Sequence, residues 1–76
     1  MNATFLTKAP IGKLLNIVCI DGGRAARLRL ATMGLREGTA IRLAHAPGGG
    51  PVVVEVGTGR LVLGCGMAEK IVVQAA

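Results

Sequence analysis

Leu30-Ala31-Thr32-Met33-Gly34-Leu35-Arg36-Glu37-Gly38-Thr39-Ala40-Ile41 is the stretch in which the hydrophobic period of the chain changes. The Arg- and Ala-rich segment from Arg24 to Met33 predicts a helix, and Gly34 is the residue type expected just past a helix end. Beyond Gly38, the alternation Thr39-Ala-Ile41-Arg-Leu43-Ala-His45 predicts a strand. A helical period therefore gives way to a period of two across a turn that holds two glycines. In a chain of 76 residues this junction fixes how one short helix leans on a small sheet.

Working outward, the helix places Ala26, Leu30 and Met33 on one stripe, with Leu35 following after the stop. Arg24 and Arg27 fall opposite, Arg29 on the flank, and Leu28 lies among the arginines rather than in the stripe. Asp21 stands where an N-cap would, followed by Gly22 and Gly23. Upstream, Lys13 to Ile20 predicts a strand that is apolar on both faces. That pattern implies burial on each side or a bulge near Val18 that re-phases it. Thr4-Phe5-Leu6-Thr7 predicts an edge segment, ended by Pro10 and Gly12.

Downstream, Ala46-Pro47-Gly-Gly-Gly50-Pro51 predicts a hairpin loop. Val52 to Val56 and Arg60 to Leu63 predict an antiparallel pair joined by Gly57-Thr58-Gly59. Gly64-Cys65-Gly66 breaks the second of these, Met67 to Lys70 fits one helical turn, and Ile71 to Val73 closes the sheet. The sum is a mostly β fold, a small SH3-like five-stranded barrel with one inserted α-helix and a short helical turn before the last strand. Closure of such a sheet would remove its exposed edges. No repeat or linker divides residues 1–76, which make one domain.

The core has to be aliphatic, because Phe5 is the single aromatic residue. Nine Lys and Arg against four acids give a net charge of +5, which favours an anionic partner. Only Arg24 to Arg36 is dense in basic residues; the others are scattered and serve equally well as a solvating surface. No apolar run reaches the ~18–20 residues of a membrane span, and Met1 to Pro10 lacks the layout of a signal peptide. A cytoplasmic protein is expected, with Cys19 and Cys65 reduced.

Catalytic constellations are hard to assemble from this composition. The chain has no serine, one histidine and one aspartate, so a Ser-His-Asp triad is excluded. Cys19 or Cys65 with His45 lacks an orienting group, and a small buried Cys in a strand is the simpler reading. Cys19, Asp21, Glu37, His45, Glu55, Cys65 and Glu69 are not at paired metal-ligand spacings, so no built-in metal site is expected. Gly48-Gly-Gly50 lacks the following Lys-Ser or Lys-Thr of a phosphate loop.

The strings Ile17-Val-Cys-Ile20-Asp-Gly-Gly23, Arg29-Leu30-Ala-Thr-Met33-Gly34-Leu35-Arg-Glu-Gly38-Thr39, Ala46-Pro47-Gly-Gly-Gly50-Pro51-Val52 and Leu61-Val-Leu63-Gly-Cys-Gly-Met67-Ala68-Glu69-Lys70-Ile71-Val72-Val73 together resemble the FeoA family. These are ferrous iron transport proteins A, small SH3-like cytosolic domains, and the likeness runs from Leu6 to Val73. The resemblance implies an accessory or regulatory protein of ferrous iron uptake, not an enzyme and without a cofactor. Its implied partner is the cytoplasmic GTP-binding part of the FeoB membrane transporter. The same module is found appended to iron-responsive repressors, but these residues hold no DNA-binding helix pair. Gly64-Cys65-Gly66 departs from the basic or polar residues more usual there.

The residues themselves suggest a contact surface. Leu28, Met33 and Leu35 would line an aliphatic groove rimmed by Arg24, Arg27 and Arg36, suited to an acidic, partly apolar partner segment; Met33 and Leu35 also read as core. Polyproline binding by aromatic platforms is improbable without Trp or Tyr. The alternative, a small basic nucleic-acid-binding barrel, draws on the +5 charge but lacks the aromatics that stack bases. The oligomeric state stays open, a homodimer included.

Overall fold

The computed structural model describes residues 3–46, 48 and 50–76. Pro47 and Gly49 of the expected hairpin loop lie outside the described residues. Six strands form one antiparallel sheet: β1 (Thr4–Phe5), β2 (Leu14–Ile20), β3 (Ala40–His45), β4 (Val52–Val56), β5 (Gly59–Leu63) and β6 (Ile71–Ala75). Their spatial order is β1-β6-β2-β3-β4-β5. Helix α1 (Gly23–Thr32) connects β2 to β3, the single turn α2 (Cys65–Ala68) connects β5 to β6, and a 3-10 turn spans Leu6–Lys8.

Alternation along the strands fills one aliphatic interior. Leu15 and Ile17 of β2, Ile41 and Leu43 of β3, Val52 and Val54 of β4, and Ile71 and Val73 of β6 all point inward and are buried. Leu6, Leu30, Leu35, Leu63 and Ala68 complete the cluster. No polar or charged residue is buried among the described residues. The cohesion of this interior is therefore apolar burial alone, at roughly 1.5–3 kcal/mol for each large side chain.

Of the two readings that the apolar pattern of β2 allowed, the bulge near Val18 is present. Ile17 pairs with Val73 and Cys19 with Val72, so Val18 is the extra residue on β2. Before it the strand alternates cleanly between exposed Leu14 and buried Leu15; after it Val18, Cys19 and Ile20 are all half-buried. A second register shift lies between Leu43 and His45 on β3.

The helix stop follows the mechanism expected of Gly34. Gly34 takes a φ of 84°. Its N–H donates to the Ala31 carbonyl at 2.9 Å, and the Leu35 N–H donates to the Leu30 carbonyl at 2.9 Å. This pair of bonds is the Schellman motif, and the apolar contact that usually accompanies it is supplied by Leu30 and Leu35, both 0% exposed.

Three expectations need correction. The sheet is not closed: β1 and β5 remain as edges, and β1 adds a sixth, two-residue strand paired only with β6. Asp21 does not cap α1: it lies one residue before the N-cap position, and its N–H donates to the Lys70 carbonyl at 2.6 Å. Gly22 takes the N-cap position, with no side-chain cap bond. A Cβ at Gly22 would stand 2.6 Å from Lys70 Cδ and 3.0 Å from the Ala26 Cβ, so a glycine leaves room for the Lys70 side chain against the helix start. Finally, the last helical turn begins at Cys65 rather than Met67, with Gly64 as its N-cap.

Candidate functional site

Helix α1 rests on the sheet by a narrow stripe, and that leaves most of it exposed. Ala26 and Leu30, one turn apart, are buried, and Met33 packs half-buried against the core. Gly23, Arg24, Ala25, Arg27, Leu28 and Arg29 are exposed. Leu28 is 57% exposed, which places an aliphatic side chain in solvent among arginines.

Beside it runs a cleft of ≈ 360 Å³. Its lining comes from three places: Arg27, Leu28 and Ala31 of α1, Ile20 at the end of β2, and Leu35, Arg36 and Glu37 after the helix. Position 36 is held from both directions. The Arg36 N–H donates to the Thr39 hydroxyl at 3.3 Å, and the Thr39 N–H donates to the Arg36 carbonyl at 3.0 Å. The Schellman bonds fix Leu35 immediately before it.

The only ion pair among the described residues joins Arg60 to Glu55 at 3.0 Å on the β4–β5 hairpin. Arg24, Arg27, Arg29 and Arg36 therefore carry guanidinium groups with no carboxylate partner among the described residues. The cleft combines an apolar floor with two such groups, Arg27 and Arg36, and one acid on its lip, Glu37.

Of the residues predicted to form a contact surface, the structure brings Arg27, Leu28, Leu35 and Arg36 around this cleft. Arg24 sits one helical turn before Leu28, outside the walls, and Met33 packs toward the core. Leu35 is 0% exposed and serves as floor rather than as a free contact. Ile20, Ala31 and Glu37 complete the walls and were not in the predicted set. Ala31 was accessible to helical spacing, three residues from Leu28 and four from Arg27; Ile20 and Glu37 arrive only through the way the helix lies on β2.

A second hollow, of ≈ 220 Å³, lies where the Leu6–Lys8 turn approaches α2 and the β3–β4 loop; Thr7, Lys8, Cys65 and Glu69 are on its walls. Across one turn of α2, the Cys65 thiol donates to Glu69 Oε1 at 3.6 Å. Cys19 and Cys65 are both free and half-buried. Among the described residues no group of three or more His, Cys, Asp or Glu side chains is placed to hold a metal ion. No helix among them is long and apolar enough to cross a membrane.

No curated protein matches the chain. Solved structures do. The crystal structure of an iron uptake regulatory protein, FeoA, is 31% identical with a TM-score of 0.89, covering 99% of this chain and 100% of that one. The zinc complex of FeoA from Stenotrophomonas maltophilia, put forward as a prokaryotic SH3-domain protein and a ferrous iron transport activating factor, is 27% identical with a TM-score of 0.75. It covers 91% of this chain and 87% of that one. A manganese-dependent transcriptional repressor shares the fold at a TM-score of 0.85 and 21% identity; the match covers 97% of this chain and 42% of the repressor. The model of the FeoA domain matches residues 5–75. With an SH3-like sheet, an inserted helix and that match over nearly its whole length, the chain belongs to the FeoA domain family, which is associated with ferrous iron transport.

Proposed function

We propose that this protein is a cytoplasmic accessory factor of ferrous iron uptake. It acts by binding the cytoplasmic GTP-binding part of a FeoB-type membrane transporter and catalyses no reaction itself. The observation that carries this reading is the family match over residues 5–75. The structure is consistent with it: among the described residues no acid, base or nucleophile is fully buried, and arginines without a carboxylate partner lie on the surface beside an apolar cleft. Contact function fits that distribution better than catalysis, which needs polar groups held in a desolvated site.

The nucleic-acid alternative is the weaker reading. Phe5, the one aromatic, is 39% exposed on an edge strand and cannot supply a stacking platform by itself. Ferrous iron uptake in a strain lacking the gene, with and without this chain restored, tests the proposal. Restored uptake together with co-purification of the full-length transporter supports it. Uptake that is the same in the deletion strain as in the parent refutes it.

A further inference from the structure

We infer that the cleft between α1 and the 35–37 turn is the docking site for an acidic protein segment that carries an exposed aliphatic side chain. The inference rests on the function proposed above for which protein supplies that segment, but not for the segment's chemistry.

Two observations define the occupant. The apolar part of the lining comes from Ile20, Leu28, Ala31 and Leu35, and Leu28 is more than half exposed at a position flanked by arginines. Burying that surface is favourable at roughly 25 cal/mol per Å², so an aliphatic side chain is the complement. Arg27 and Arg36 both line the cleft, and neither has an ion-pair partner among the described residues. A guanidinium fork matches a carboxylate in shape and charge. An occupant with an aliphatic side chain and neighbouring carboxylates satisfies all of these groups together.

A nucleic acid would satisfy the arginines but leave Leu28 against a polar backbone, and no aromatic residue lines the cleft. Glu37 adds a directional mark. As the one acid on the wall it opposes an acidic occupant, so removing its charge should tighten binding while reversing the arginine charges weakens it. Opposite effects at neighbouring exposed positions are not what a merely structural role produces.

The test is an amide chemical-shift titration of the full chain with a short, acetylated and amidated peptide of Glu, Asp and Leu. A matched peptide with Lys in place of the acids serves as control. Expected are shifts confined to Ile20, Arg27, Leu28, Ala31 and the 35–37 turn. Affinity should fall about tenfold or more in the Arg27→Glu/Arg36→Glu double variant, whose two sites are exposed, and rise in Glu37→Gln. The absence of shifts at the highest soluble peptide concentration would overturn the inference, as would equal binding of the basic control or of the double variant. Cleft shifts that follow protein concentration alone would assign the site to a second copy, and so would also overturn it.

A parallel capture of the full-length transporter separates the two proposals. If wild-type protein and the double variant capture it equally, the docking site is wrong and the function stands. If the peptide binds at the cleft but wild-type protein captures no transporter, the function is wrong and the site stands.

Discussion

Replacing Gly34 tests whether the helix stop at the centre of the fold works by backbone conformation. Its φ of 84° lies in the left-handed region, and a Cβ there would meet nothing within 4 Å. Steric crowding is therefore absent, and an alanine pays only the left-handed strain, about 1–2 kcal/mol. Part of this is recovered because alanine has less freedom to lose from the unfolded chain, by about 0.4–1 kcal/mol. A net loss of about 1 kcal/mol is expected for Gly34→Ala, a drop in Tm of about 4–8 °C for a domain of this size. Gly34→Asn should cost less, since asparagine tolerates this region, and Gly34→Val more, since a β-branched residue tolerates it least. Urea unfolding followed by circular dichroism measures the order, with the midpoint shifting and the slope unchanged. Because Leu35 and Arg36 follow directly, the same variants should weaken peptide binding at the cleft. An alanine variant as stable as the parent, or a valine variant no worse than asparagine, would refute the account of the helix stop.

Leu30→Ala removes a 0% exposed side chain that joins the helix to the core, and a loss of about 2–5 kcal/mol is expected; Leu30→Met should cost under about 1.5 kcal/mol in the same urea experiment. Arg60→Ala breaks the Arg60–Glu55 ion pair, whose partners are 70% and 32% exposed, so stability should fall by less than about 1 kcal/mol. That difference should shrink further at high salt. Val62, 69% exposed on the β5 edge, is a site for unwanted strand pairing. Val62→Lys should leave stability within about 0.5 kcal/mol and reduce aggregation of concentrated protein in light scattering.

Where local rules govern, the sequence was a sufficient guide. The Gly34 stop and the inward face of β3 each follow from a few adjacent residues whose preferences agree, while the bulge at Val18 was one of two readings its apolar pattern left open. Asp21 shows the limit: capping was its best local choice, but its N–H is bonded to the carbonyl of Lys70, 49 positions away in the chain, and the helix begins one residue later, with Gly22 as its N-cap. Closure of the sheet failed for a related reason, since register and edge pairing are settled between strands rather than within them. The early start of α2 comes from bonding one turn back: the Ala68 N–H donates to the Gly64 carbonyl and the Glu69 N–H to the Cys65 carbonyl, both at 3.0 Å, despite the weak helix preference of Cys65 and Gly66. The cleft was legible in part. Leu28 among arginines signalled an exposed apolar side chain, but Ile20 joins the lining from β2, at a distance in sequence that helical spacing does not reach.

The distribution of polar groups constrains how such a protein can act. Among the described residues no polar or charged side chain is buried, so under the proposed function a partner would meet charged groups only at the surface. The surface beside α1 is suited to receive one, because its flexible side chains project from a backbone fixed by the Schellman bonds and by the paired Arg36–Thr39 hydrogen bonds. Little ordering of the main chain is left to be done on binding, which lowers the entropic cost of docking. On the docking proposed above, the fold contributes preorganisation: the Schellman and Arg36–Thr39 bonds hold the backbone from which the partner-facing side chains project.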